Sequence, residues 1–305
     1  MLAPSWVRFV VGAKTDLVVA LDWTDFDKDD QTTITAHLVE QHNRTTPLIW
    51  RTVKKSELKG QRNGHEDALL IRLREALPAS VRCTILADRG FGDANLYRFL
   101  SDLGFEYVIR FRGVVKVESE DGELRPAANW VPARGRPKML RRALVTDERV
   151  QIGSFVCVHS RAMKEPWLLA ASSQTAHASE IIKLYGRRFT IEETFRDLKD
   201  PRFGRGLGEL RISSCQRRDR ILLVAAIAIV LLTLLGKASE ACGLDKRLRV
   251  NTSTKRSHSL FFQGTYYFAA LPNMKPDRAE MLLDAFDSVL RANAFLARVL
   301  GLMKE

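Results

Sequence analysis

The chain has 305 residues and a mass of 34.5 kDa, long enough to bury a full core as one large domain or two smaller ones. Lys and Arg outnumber Asp and Glu by 48 to 36, and the net charge of +12 with a pI near 9.8 favours a polyanionic partner such as nucleic acid or an acidic membrane surface. Cys83, Cys157, Cys215 and Cys242 form no C-x-x-C and the six histidines show no zinc-finger spacing, so reduced thiols in a cytosolic protein are expected, and structural zinc is not.

The N-terminal segment lacks a basic region followed by a clean apolar core and a small-residue cleavage site, which makes it a poor export signal. Three β-branched runs follow, LVVALD (17–22), TTITAHLVE (32–40) and TPLIWRTV (46–53), and read as a three-stranded meander. HEDALLIRLREAL (65–77) has helical spacing and stops at Pro78. VRCTILAD (81–88) reads as a strand, DANLYRFLSDLG (93–104) as a helix ending at glycine, and FEYVIRF (105–111) as a strand. From 112 to 176 short strand-like pieces are broken by Gly, Pro and Arg, as in a β-rich insertion ahead of a long helix at 178–199. A basic loop (201–220), an apolar helix (219–238), a mixed segment containing SLFFQGTYYFAAL and a last amphipathic helix (277–303) complete the order. The continuous apolar run of that third-last element, 221–235, is fifteen residues, short of the roughly twenty that cross a bilayer, and is expected to be a buried core helix.

Two strands end in an acid, Asp22 and Asp88. If the strands lie parallel and adjacent, their carboxylates meet. In LYGRRFTIEETFRDLKD (184–200), Tyr185, Arg188, Glu192 and Lys199 fall at roughly 0°, 300°, 340° and 320° around an ideal helix, one stripe of a phenol, two cations and a carboxylate. Asp22, Asp88 and Glu192 together supply three hard oxygen donors suited to Mg²⁺ or Mn²⁺ and to two-metal phosphoryl transfer. Taken singly, an Asp at a strand end more often closes a turn or caps a helix. Asp25, Asp27, Asp29 and Asp30 are expected in turn roles, and Glu193, about 100° away from Glu192, as a surface charge.

The pattern Y-x2-R-x3-E-x6-K formed by Tyr185, Arg188, Glu192 and Lys199, preceded by ALDWTD and LADRGF, resembles the signature of DDE transposases of the insertion sequence 4 family. The resemblance runs from about 17 to 275. It implies an α/β fold with an RNase H-like mixed sheet flanked by helices, interrupted by a β-rich insertion before the last catalytic helix. It implies a short N-terminal remnant (1–16), a core in two parts (17–111 and 177–240) around the insertion (112–176), and a partly helical C-terminal region (241–305). Asp22, Asp88 and Glu192 would be the catalytic, metal-binding triad, with two Mg²⁺ or Mn²⁺ ions. Tyr185, Arg188 and Lys199 would contact DNA phosphates. Arg134, Arg136 and Lys138 in RGRPKMLRR, and the arginines of 201–220, are further phosphate-contact candidates. Trp130 and Trp167 lie in the insertion, where the resemblance implies an aromatic that can stack a flipped base, and core packing is the role expected of either.

The activity implied is strand cleavage at transposon ends and strand transfer into target DNA, by a bacterial, nucleoid-associated cytoplasmic protein that dimerises on DNA and uses no membrane. Members of that family generally carry a DNA-binding region ahead of the first aspartate, and here twenty-one residues precede Asp22. This departure supports an alternative reading, a catalytically silent chain that binds DNA or dimerises with, and inhibits, a longer transposase.

Overall fold

The computed structural model describes residues 2–40, 44–133, 135–201, 206–249, 252 and 256–293. It opens with a helix that the sequence reading does not anticipate, α1 (Leu2–Val11). Trp6 and Val10, and Val7 and Val11, stand one turn apart and are all buried, and Trp6 Nε1 donates to Pro47 O at 2.8 Å.

Next come β1 (Asp16–Phe26), β2 (Gln31–Val39), β3 (Thr45–Lys54), α2 (Arg62–Ala76), β4 (Arg82–Ala87), α3 (Ala94–Asp102) and β5 (Glu106–Arg110), in the order expected. β1 is central: it pairs antiparallel with β2, Asp22 opposite Thr35, and parallel with β4, Leu21 opposite Ala87. All nine residues of β2 are buried although five are Gln, Thr or His. Its threonine hydroxyls are satisfied internally, Thr33 against Thr52 at 2.8 Å and Thr35 donating to Ile49 O at 3.3 Å. Burial holds the His37 imidazole down to about 3, so it is a neutral core side chain, edge-on to Phe195.

The insertion contributes β6 (Lys116–Glu118), β7 (Leu124–Pro126), β8 (Lys138–Arg141), β9 (Leu144–Val145), β10 (Val150–Gln151), β11 (Ser154–Val158) and β12 (Trp167–Ala171). It divides between two sheets. β12, β11 and β8 extend the main sheet, whose order is β3-β2-β1-β4-β5-β12-β11-β8, while β10-β9-β6-β7 form a second sheet. The architecture is an RNase H-like mixed sheet flanked by helices and interrupted by a β-rich insertion.

The single helix expected over 178–199 is interrupted. α4 (Ala178–Gly186) ends at glycine, Arg187–Phe189 form one 3₁₀ turn, and α5 (Thr190–Lys199) begins with Thr190 Oγ1 donating to Arg187 O at 2.7 Å.

The chain divides into two compact units, one of residues 1–39 and 47–216, the other of 40–46 and 217–305. In the second, α6 (Cys215–Ala241), α7 (Leu260–Ala270) and α8 (Pro276–Arg291) are the main elements. The apolar run 221–235 lies within α6, which at 27 residues is by length and composition long and apolar enough to cross a membrane, and 39% of its most apolar window is buried. Its buried positions, Leu222, Ala225, Ala226, Ile229, Leu232, Leu235 and Gly236, recur every three or four residues, whereas Val224 and Ile227 are exposed. SLFFQGTYYFAAL, expected as a mixed segment, is largely α7, capped by Ser259 accepting from Phe262 N. α6 and α7 cross backbone to backbone: a Cβ on Gly236 would lie 1.9 Å from Leu260 O and one on Gly264 1.8 Å from Leu232 O. Beyond 293, the expected last helix lies outside the described residues.

Candidate active site

The parallel register that sets Leu21 beside Ala87 brings the next residue of each chain segment, Asp22 and Asp88, side by side where β4 stops; β1 runs on beside β2 to Phe26, so Asp88 follows its strand as expected while Asp22 lies within its own. Each aspartate is anchored by one oxygen to a nearby amide. Trp23 N donates to Asp22 Oδ1 at 2.9 Å, and Gly90 N to Asp88 Oδ1 at 2.8 Å, the latter an Asx turn. The other oxygen of each remains for a shared cation.

α5 supplies that cation's third partner. Val18 and Ala20 on β1 pack with Ile191 and Phe195 of α5, so the two-residue period of the strand turns Asp22 toward the same helix. Glu192 follows Ile191. Between the three acids stands Arg188, on the 3₁₀ turn, with Nη1 3.5 Å from Asp22 Oδ2 and 3.0 Å from Glu192 Oε1, and Nη2 3.5 Å from Asp88 Oδ2. The guanidinium is 5% exposed, and its Nε is buried with no hydrogen-bond partner among the described residues.

The electrostatics follow from this crowding. Burial pushes the Asp22 carboxyl up to about 6; Arg188 opposes the rise, while the charges of Asp88 and Glu192 add to it. Burial disfavours the charged Arg188, but Asp22, Tyr185, Asp88 and Glu192 outweigh it and hold the guanidinium above its ordinary value. Three carboxylates thus share one positive charge. Among the described residues no three His, Cys, Asp or Glu side chains stand grouped to hold an ion as they are placed, and here Arg188 lies between the candidate ligands. The donor set itself, three carboxylates with one oxygen of each aspartate facing a common centre, fits Mg²⁺ or Mn²⁺.

The rest of the stripe is not uniform, because the 3₁₀ turn departs from ideal helical spacing. Tyr185 is 1% exposed, packed edge-on to Trp167 and Phe189, and burial raises its phenol against the lowering influence of Arg188. Lys199 reaches the sheet, donating to Asp25 O at 2.6 Å with its ammonium 4.9 Å from the Phe26 ring centre. Glu193 pairs with Arg196 at the surface.

In the insertion, Lys138 lies on β8 with its ammonium 4.5 Å from the buried Trp130 ring, and Arg136 is exposed. Arg134, and Arg202 and Arg205 of the basic loop, lie outside the described residues. Of the remaining loop candidates, Arg218 is 1% exposed, and Arg211 donates to Lys28 O at 2.6 Å. Sequence reasoning missed the two amide anchors. The D-x-G of Asp88–Gly90 carried a signal for one; nothing in the sequence signalled Trp23 N.

The family model described as Transposase DDE domain matches residues 13–232, which include all three acids and Arg188. No curated protein matches the chain.

Proposed function

The chain belongs to the DDE transposase family, and from that premise we propose that it cleaves DNA at transposon ends and transfers the freed strand into target DNA. The observation that supports this reading is the convergence of Asp22, Asp88 and Glu192, from β1, the end of β4 and α5, on the single guanidinium of Arg188. On this reading the chain falls in the insertion sequence 4 group, by its Tyr185, Arg188, Glu192 and Lys199 pattern.

Attack of water on the end phosphodiester breaks the P–O3′ bond and leaves a 3′-hydroxyl and a 5′-phosphate. That hydroxyl then attacks a target phosphodiester, forming one P–O bond and releasing a target 3′-hydroxyl. Asp22, Asp88 and Glu192 would hold Mg²⁺ or Mn²⁺, which when bound activates the nucleophile and stabilises the leaving oxygen. The amides of Trp23 and Gly90 fix the rotamers of the two aspartates, which keeps their free oxygens converged. Arg188 neutralises the acids while no ion is present, and with ions on the acids its charge serves the DNA phosphate. Tyr185 backs the guanidinium from the core. Lys199, Arg136 and Lys138 extend the phosphate track, and two copies of the chain assemble on DNA.

The test is strand cleavage in Mg²⁺ of DNA carrying the inverted repeats that flank the source locus. Nicks ending in a 3′-hydroxyl support the reading. Tight DNA binding with no nicking at any Mg²⁺ or Mn²⁺ concentration overturns it in favour of an inhibitor.

A further inference from the structure

Trp23 follows Asp22 and, by the period of the strand, points to the opposite face of the sheet, where its Nε1 donates to Glu66 Oε1 of α2 at 2.7 Å. Glu66 is 3% exposed; burial pushes its carboxyl up, and the hydrogen bonds from Trp23 and Arg62 oppose that rise. Arg62, the first residue of α2, donates Nε to the same Oε1 at 3.2 Å. Its guanidinium carbon stands 5.1 Å from the centre of the Trp23 ring and 5.9 Å from that of Phe91. These two aromatics follow Asp22 and Asp88 closely in the chain, so the arginine is built onto the same end of the sheet as the two acids. A Cβ on Gly90 would lie 3.0 Å from Asp88 Oδ1 and 3.9 Å from Arg62 Nη2, which puts both groups at the border of one small space.

The inner nitrogen of Arg62 is committed to Glu66. Its outer edge, Nη1 and Nη2, has no hydrogen-bond partner among the described residues, and the side chain is 45% exposed. A cation in the first turn is opposed by the helix dipole, and α2 has no acid in that turn to offset it. Within α2 only the pair with Glu66, made through Nε, offsets that cost. A guanidinium clamped by one nitrogen and two rings, with its two-donor edge open, has the shape and charge that grip a phosphate.

We infer that Arg62 binds a backbone phosphate of the DNA strand engaged by the carboxylates, on the sheet face opposite α5. The inference rests on the DNA-cleaving reading above. It adds a phosphate contact that the α5 stripe does not contain, and Glu66 and Trp23 act as its positioning residues.

The test is the salt dependence of affinity for repeat-carrying duplex DNA, measured on the full chain with R62A, R62Q and R62K, alongside the melting temperature of each. R62Q keeps an amide donor for Glu66 and so guards against a folding defect in R62A. The expected result is a slope of log affinity against log salt shallower by about one unit in R62A and R62Q, with R62K restoring the slope. R62K, lacking the fork, is expected to cut more slowly than wild type. A role as a mere strap over Trp23 would lower the melting temperature and leave the slope as in wild type, and that result overturns the inference alone if wild type binds and cuts DNA. Wild type with no salt-dependent DNA binding would overturn the functional reading together with this inference.

Discussion

Replacing Asp22 by Asn removes one of the three negative charges gathered around Arg188 while nearly preserving the side chain's shape. In the folded chain Asp22 holds its proton up to about pH 6, against an ordinary value of 3.8, chiefly because it is buried. Its side chain is 15% exposed, so solvent screening is small. The raised value means that Asp22 contributes stability that is fully present below pH 3.8 and is lost as the pH rises through about 6. At neutral pH the ionised carboxylate therefore costs the metal-free fold roughly 3 kcal/mol, from 1.36 kcal/mol for each pH step of the difference. Asp22→Asn escapes that cost. Urea denaturation in EDTA at pH 7.5 is expected to find the variant more stable than wild type by roughly 3 kcal/mol, with most of the gap closing by pH 4. Mg²⁺ held by the three acids would then stabilise wild type more than the variant, because only the folded chain brings those acids together. A gap that is absent at pH 7.5, or that does not change with pH, would refute the charge-crowding argument.

Glu192→Ala should abolish cleavage and Glu193→Ala should leave it nearly unchanged, because Glu193 makes only a surface pair with Arg196; single-turnover assays of the two variants read this directly. Lys199→Ala should make the salt slope of DNA affinity shallower by about one unit, and an unchanged slope would restrict Lys199 to its tether on Asp25 O. Gly264→Ala sets a methyl group against Leu232 O and should cost on the order of 3 kcal/mol, the upper end of overpacking penalties, as a drop in melting temperature. Ca²⁺ should support DNA binding with little cleavage, because it accepts looser coordination than Mg²⁺ does; comparable cutting in both ions would argue against the proposed metal geometry.

The core order of strands and helices was legible because each run states its own period: the β-branched alternation of β1 to β3, the helical spacing of α2 and the apolar run of β4. The convergence of Asp22 with Asp88 was legible only as a conditional, since parallel pairing is a long-range fact that neither strand encodes alone. Three features were not legible. α1 falls in a nearly unbroken apolar run, WVRFVV, whose spacing does not separate helix from strand, and as a helix it buries Val7 and Val11. The 3₁₀ turn at Arg187–Phe189 breaks a wheel that assumes ideal geometry, so the stripe's members meet different surroundings, Tyr185 in the core and Glu192 at the surface. The burial of Arg188 among three acids could not be read from a helical face, because two of them, Asp22 and Asp88, stand a hundred residues or more away in the chain, and only Glu192 shares the stripe.

The most direct measurement is single-turnover cleavage of repeat-carrying DNA by wild type and by Asp22→Ala, Asp88→Ala and Glu192→Ala, in Mg²⁺ and in EDTA, with DNA affinity measured on the same preparations. Assignment of the three acids as metal ligands predicts cutting by wild type in Mg²⁺ alone, and loss of cutting in all three variants while DNA binding survives. Wild-type cutting in EDTA, or a variant that cuts at the wild-type rate, would contradict it.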